Sequence, residues 1–227
     1  MSLELRPLTK DDAHEAARLV LASYEDNPFR KIVFPNGMSQ STIDEIVESR
    51  SSAVDDPDKY PLKIVDTETS EMAACAVWEY TKPMGEEDWD REKEKALTAY
   101  PEARQDILSE FMLIEQDSKR RIMGNNRWWE LIALSTLPHY QRRGIGSMLM
   151  KWGTDKLEEM KVPGFIVATD QGYGLYIKHG FREVERWEVD MGRWPQWGGN
   201  GMYMNVFLTR HPAPPQIGGT EQYTLAQ

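Results

Sequence analysis

Two β-like segments of this chain are joined by a single long helix, and that constrains the fold more than anything else in the sequence. Residues 127–138, RWWELIALSTLP, have β character. So do residues 165–170, FIVATD, which are nearly all apolar and so fit a strand buried on both faces. Between them an amphipathic helix runs to about Lys161, with Ile145, Met148, Leu149, Trp152, Leu157 and Met160 as its apolar stripe. A strand–helix–strand unit of this kind demands a parallel pair joined by a right-handed crossover. Elsewhere the signals are hairpins. LKIVDTETSEMAACAVWEY sets two β runs around a polar Thr-Glu-Thr-Ser turn, and FREVERWEVDM and MYMNVFLTR flank the loop RWPQWGGNG. The expectation is an α+β fold: a mixed, mostly antiparallel sheet around one central parallel pair.

The remaining elements fit around that sheet. LELRPL (3–8) reads as an edge strand stopped by Pro7, and Thr9 and Asp12 stand at capping-box spacing. Ala13, Ala16, Ala17, Val20, Leu21 and Tyr24 mark an amphipathic helix. NPFRKIVFPNG reads as an irregular link, and a second helix fits 40–54 before DDPDKYP breaks it. Residues 82–125 are charged and helix-prone, interrupted at Pro101, and read as a two-helix insertion capping the sheet. "YGLYIKHG" is a short helix closed by Gly180. One domain is expected over 1–209, followed by a Pro- and Gly-rich tail, 210–227.

Composition narrows the function classes. No stretch approaches the roughly 18 apolar residues of a membrane span. The opening residues lack the basic-then-apolar layout of a signal peptide, so a cytoplasmic protein without membrane partners is expected. The single cysteine, Cys75, lies in the apolar run AACAVW and reads as a small buried hydrophobe. A formal charge of −10 argues against a nucleic-acid partner. The four histidines, His14, His139, His179 and His211, are scattered without metal-ligand spacing, so no metal is expected.

The stretch STLPHYQRRGIGSMLMKWG, 135–153, is where the chemistry concentrates. Its glycines stand where the long helix begins. A helix N-terminus offers unpaired N–H groups and partial positive charge, and glycine lets a bulky anion approach them. Arg142 and Arg143 add charge. This pattern suits a phosphate or polyphosphate, or else it is a plain helix cap with two solvated arginines. It matches neither the P-loop nor G-x-G-x-x-G, because position 149 is Leu.

QRRGIG at 141–146, following a strand and opening a helix, resembles the Q/R-x-x-G-x-G/A signature of the GCN5-related N-acetyltransferase (GNAT) superfamily. LYIKHGF at 175–181 is similar to that family's LYxxxGF ending. The resemblance implies acetyl-CoA as cosubstrate, with its pyrophosphate held by Gln141, Arg142, Arg143, Gly144, Gly146 and Ser147. It also implies a bulged strand that splays from its parallel neighbour, leaving Leu134, Ser135 and Thr136 to pair with the pantetheine arm. An N–H near Leu134 would polarise the thioester carbonyl. Tyr176 corresponds to the family's usual acid toward the leaving thiolate. Glu130, eleven residues before Gln141, has the spacing of the catalytic glutamate in histone-acetylating members. One departure is Asp170-Gln171-Gly172, where the family often carries Asn.

The implied activity is transfer of acetyl to a primary amine within a ternary complex. The acceptor is expected to be a small molecule, because an inserted cap restricts access. A peptide acceptor and a non-catalytic acyl-CoA-binding module are the alternatives. Trp187, Trp194 and Trp197 near the last loop, and Trp78 and Trp89 near the insertion, read as packing residues or as aromatic faces for an amine. A homodimer paired through an exposed final strand is a further expectation.

Overall fold

Seven strands line up in one sheet in the computed structural model, which is described for residues 2–98 and 100–214. They are β1 (Leu3–Pro7), β2 (Lys59–Asp66), β3 (Glu71–Thr81), β4 (Trp128–Thr136), β5 (Gly164–Thr169), β6 (Arg182–Asp190) and β7 (Met202–Arg210). Their spatial order is β1-β2-β3-β4-β5-β7-β6. Every neighbouring pair is antiparallel except β4 with β5. The crossover in that pair is the long helix expected from the sequence, Ile145–Met160.

The helices are α1 (Ala13–Ser23), α2 (Pro28–Val33), α3 (Gln40–Asp55), α4 (Glu86–Thr98), α5 (Gln105–Met123), the crossover α6 (Ile145–Met160) and, after β5, α7 (Asp170–Lys178). Strand alternation decides what each face buries. Trp129 and Leu131 of β4 join Trp78 of β3 in a core with Ile145, Leu149 and Leu157 of α6 and Tyr176 of α7. Trp128 points the other way, into Phe165, Phe207, Trp89 and Met123, which α4 and α5 cover. On that second face α1 also sits, its Ala16 and Leu19 against Met72 and Cys75 of β3. So α6 and α7 cover one side of the sheet, and α1, α4 and α5 cover the other.

Glycine sets the distance between α6 and the sheet. A Cβ on Gly153 would stand 2.1 Å from the Trp78 ring. Trp78 in turn stacks on Trp129, with centroids 5.6 Å apart.

Three expectations need correction or limits. The link NPFRKIVFPNG contains α2: Asn27 caps it, accepting from Arg30 N at 2.9 Å, and Pro28 takes the first turn, where its missing N–H costs nothing. The final strand β7 is not an exposed edge. It lies between β5 and β6, so its backbone is already paired on both sides and cannot join subunits; the sheet's edges are β1 and β6. Of the tail, residues 215–227 lie outside the described residues.

Candidate active site

The site begins where β4 leaves β5. The two strands pair only at Trp129–Gly164, Glu130–Phe165 and Leu131–Ile166. Immediately after, β4 bulges: Trp78 faces Leu131, Val77 faces Ala133, and Ile132 between them has no partner and is 45% exposed. A bulge bends its strand and re-aims the residues beyond it. Leu134, Ser135 and Thr136 stay registered with Ala76, Cys75 and Ala74 of β3, but have no registered partner in β5. They therefore offer a strand edge inside the sheet, of the kind an extended ligand can join.

The turn after β4 is held from below. Tyr140 is buried, and its hydroxyl donates to Asp66 at 3.1 Å; Gln141 Nε2 donates to the Thr136 carbonyl at 3.2 Å. The chain then takes left-handed backbone at Arg142 (φ 62°) and again at Gly144 (φ 83°), the residue that caps α6. Such alternation of backbone handedness turns successive N–H groups inward as an anion nest. Gly146 has a different reason to be glycine: a Cβ there would stand 2.9 Å from the Leu175 side chain. Thus α7 and the start of α6 approach closely and wall the nest.

Strand edge and nest open into one cleft of about 670 Å³. Its wall includes Leu134, Ser135, Thr136, Gln141, Arg142, Gly144, Gly146 and Ser147, all singled out from the sequence, together with Gln171 and Tyr176. Arg143 is not part of that wall; its guanidinium lies over the Tyr140 ring, 5.7 Å from the centroid. Ser135 is 3% exposed, and its hydroxyl has no hydrogen-bond partner among the described residues. Tyr176 is buried, which pushes its phenol well above the ordinary tyrosine range, with the nearby Tyr24 adding to the shift. The phenol stays protonated at neutral pH and can donate to a departing thiolate. These features fit acetyl-CoA: amides for the pyrophosphate, a free strand edge for the arm and a protonated donor.

Glu130 is placed differently from its partners. It does not line the cleft. One carboxylate oxygen pairs with Lys119 of α5 at 2.6 Å, and the other accepts from Trp128 Nε1 at 3.0 Å. Lys119 and Glu130 are both nearly buried, and Lys119 also lies 5.8 Å from the Phe165 ring centroid. The pair ties the inserted helix to the strand.

Sequence reasoning gave no site role to three further groups. Tyr24, at the end of α1, and Asp170, at the start of α7, line the cleft. Glu115 of α5 is half-buried, and that burial raises its carboxyl, with Lys119 opposing and Glu130 reinforcing the shift. The tryptophans are largely packing residues. Trp89 stacks on Trp128 at 5.8 Å, and Trp187 packs with Phe29, Phe111 and Tyr203. Trp194 packs against the same cluster, and the side chain of Trp197 lies outside those described.

Residues 108–183, from inside α5 to the start of β6, match the family described as Acetyltransferase (GNAT) domain. Over that stretch the chain is similar to GNAT acetyltransferases. The probable acyltransferase SID5 of Ajellomyces capsulatus is 37% identical over 49 residues, which are 22% of this chain and 36% of that protein. The match thus spans about a third of that relative's length. Among solved structures, arylalkylamine N-acetyltransferase 2 from Aedes aegypti superposes with a TM-score of 0.68 at 13% identity, covering 94% of this chain and all of that one (100%). The PaiA N-acetyltransferase from Thermoplasma acidophilum, solved with coenzyme A, gives a TM-score of 0.50 at 13% identity, covering 93% and 99%. The GNAT fold accounts for the mixed sheet and its parted strand pair. Among the described residues no group of His, Cys, Asp and Glu is arranged to hold a metal, and no helix is long and apolar enough to cross a membrane.

Proposed function

We propose that this protein transfers the acetyl group of acetyl-CoA to the primary amine of a small molecule. One observation carries the reading: the nest at Arg142–Gly146, the free edge of β4 and the Tyr176 phenol all open into the same cleft. In this assignment the amides around Gly144 and Gly146 hold the pyrophosphate, helped by Arg142 and Gln141. Arg143 contributes charge from behind Tyr140. Leu134, Ser135 and Thr136 pair with the pantetheine arm, and an N–H near Leu134 faces the carbonyl oxygen as charge develops on it. Tyr176 donates to the sulfur as the C–S bond breaks. The amine attacks directly, without a covalent enzyme intermediate, and its proton leaves to a base or through water. The acetyltransferase unit is taken as 1–209, with 82–125 as its inserted cap. The likeness to an arylalkylamine N-acetyltransferase supports an amine of small size.

The test is a mass-spectrometric screen of pooled primary amines and peptides with acetyl-CoA. One acetyl mass should appear on a small amine and be about 10²-fold slower to form with Tyr176→Phe. Acetyl on peptides alone would overturn the assignment of the acceptor. Binding of acetyl-CoA with no amine or peptide acetylated would favour the acyl-CoA-binding alternative.

A further inference from the structure

Asn205 of β7 is 2% exposed, and its carboxamide oxygen has no hydrogen-bond partner among the described residues. Buried polar atoms are nearly always paired, so an orphan in a strand interior calls for a reason. Register shows where it points. Asn205 stands opposite Thr169 of β5 and Trp187 of β6, and cross-strand partners share a face. Alternation puts Tyr203 and Phe207 on that face too, the one covered by α5. Thr169 is part of the cleft wall, so Asn205 lies one strand away from the cleft on the same face.

Several electron-rich groups gather on this face. Burial pushes the Tyr203 phenol up, and the nearby Tyr24 phenol and the carboxylates of Glu115 and Asp170 push it further. Tyr24 and Asp170 line the cleft. The ammonium of Lys119 is committed to Glu130 at 2.6 Å. Carboxylates, phenols and an unpaired amide oxygen together suit a ligand that brings both positive charge and N–H donors.

We infer that Asn205, with Tyr203 and Glu115 beside it, forms the seat for the acceptor's ammonium group, and that the acceptor is a cationic alkylamine. This rests on the acetyltransferase reading for its purpose, though not for its binding test. Asn205 is an amine-binding residue in this scheme, with its oxygen accepting one N–H.

The experiment titrates putrescine and phenylethylamine, by calorimetry, into the full-length protein saturated with coenzyme A. The variants are Asn205→Leu, Asn205→Val and Asn205→Asp. Thermal midpoints, acetyl-CoA affinity and steady-state acetylation are measured alongside. Asn205→Leu should weaken amine binding about tenfold, raising KM with little change in kcat. Its midpoint should hold or rise, because an apolar group replaces an unpaired polar one. Asn205→Asp keeps the acceptor and should retain binding. Asn205→Val serves the same comparison if the leucine variant does not fold. Unchanged amine affinity in the leucine or valine variant overturns the inference. So does a loss of affinity that tracks a lower midpoint and is not spared by aspartate. If the wild type binds amines through Asn205 but acetylates neither, the seat stands and the acetyltransferase reading falls. If it acetylates them and the leucine variant keeps the same KM, the reading stands and the seat falls. Neither binding nor acetylation of these probes overturns both.

Discussion

Two backbone angles decide the phosphate end of the cleft. Gly144 holds φ at 83°, a conformation proline's ring forbids because it fixes φ near −65°. Gly144→Pro should therefore abolish acetyl-CoA binding, whereas Arg142→Ala should weaken it by about tenfold or less, measured as Kd by calorimetry. Equal losses would mean that charge, not the amides, does the holding. Glu130 makes a second residue-scale case. Its carboxylate is shared between Lys119 and Trp128, so Glu130→Gln leaves a nearly buried ammonium without its counter-charge. The expected result is a stability loss on the order of 2–4 kcal/mol by denaturant unfolding, with only a small fall in kcat. A fall in kcat of about 10²-fold at unchanged stability would instead mark Glu130 as the base. The spacing from Glu130 to Gln141 was legible in the sequence. Its partner was not, because Lys119 arrives from another element and nothing in its neighbourhood signals a strand beneath it. Asn205 was invisible for a related reason: a polar residue in a strand reads as solvent-facing until both its neighbours are known.

At the scale of elements, α6 is the helix whose seat matters most, since its first turn carries the nest. Gly153, two turns further on, lets the helix lie on Trp78. Gly153→Ala gains up to about 1 kcal/mol of helix propensity. Against that, its methyl would fall 2.1 Å from the indole. Overpacking should win, with a net loss of about 3 kcal/mol, read as a lower denaturant midpoint at unchanged m-value. The strands, the insertion's two helices and the parallel crossover could all be read from hydrophobic periodicity, which is strong in long segments. The short helix α2 escaped because its six residues are too few to show a period. Its caps, Asn27 and Pro28, were the available signal. The nest and the LYIKHGF ending were legible for a different reason. Glycine at a forced turn leaves a mark in the sequence that an ion pair between distant elements does not.

For the molecule as a whole, the formal charge of −10 should draw cations toward the surface. Screening shortens that pull from about 8 Å at physiological salt to about 3 Å at 1 M. The KM for putrescine should accordingly rise severalfold between 0.05 and about 0.5 M salt. A salt-independent KM would leave the acidic surface with no part in capturing the acceptor. The single sheet also has an internal division. Strands β1 to β4 form one half and β5, β7 and β6 the other, joined at only three registered pairs. Beyond those three pairs the two half-sheets part, and the cleft lies between them. A ligand filling the cleft lies between the β4 edge on one side and Thr169 and Tyr176 on the other, and so bridges the halves beyond those three pairs. In amide hydrogen exchange, acetyl-CoA should then slow not only the nest but also the backbone of β7, which lines no part of the cleft.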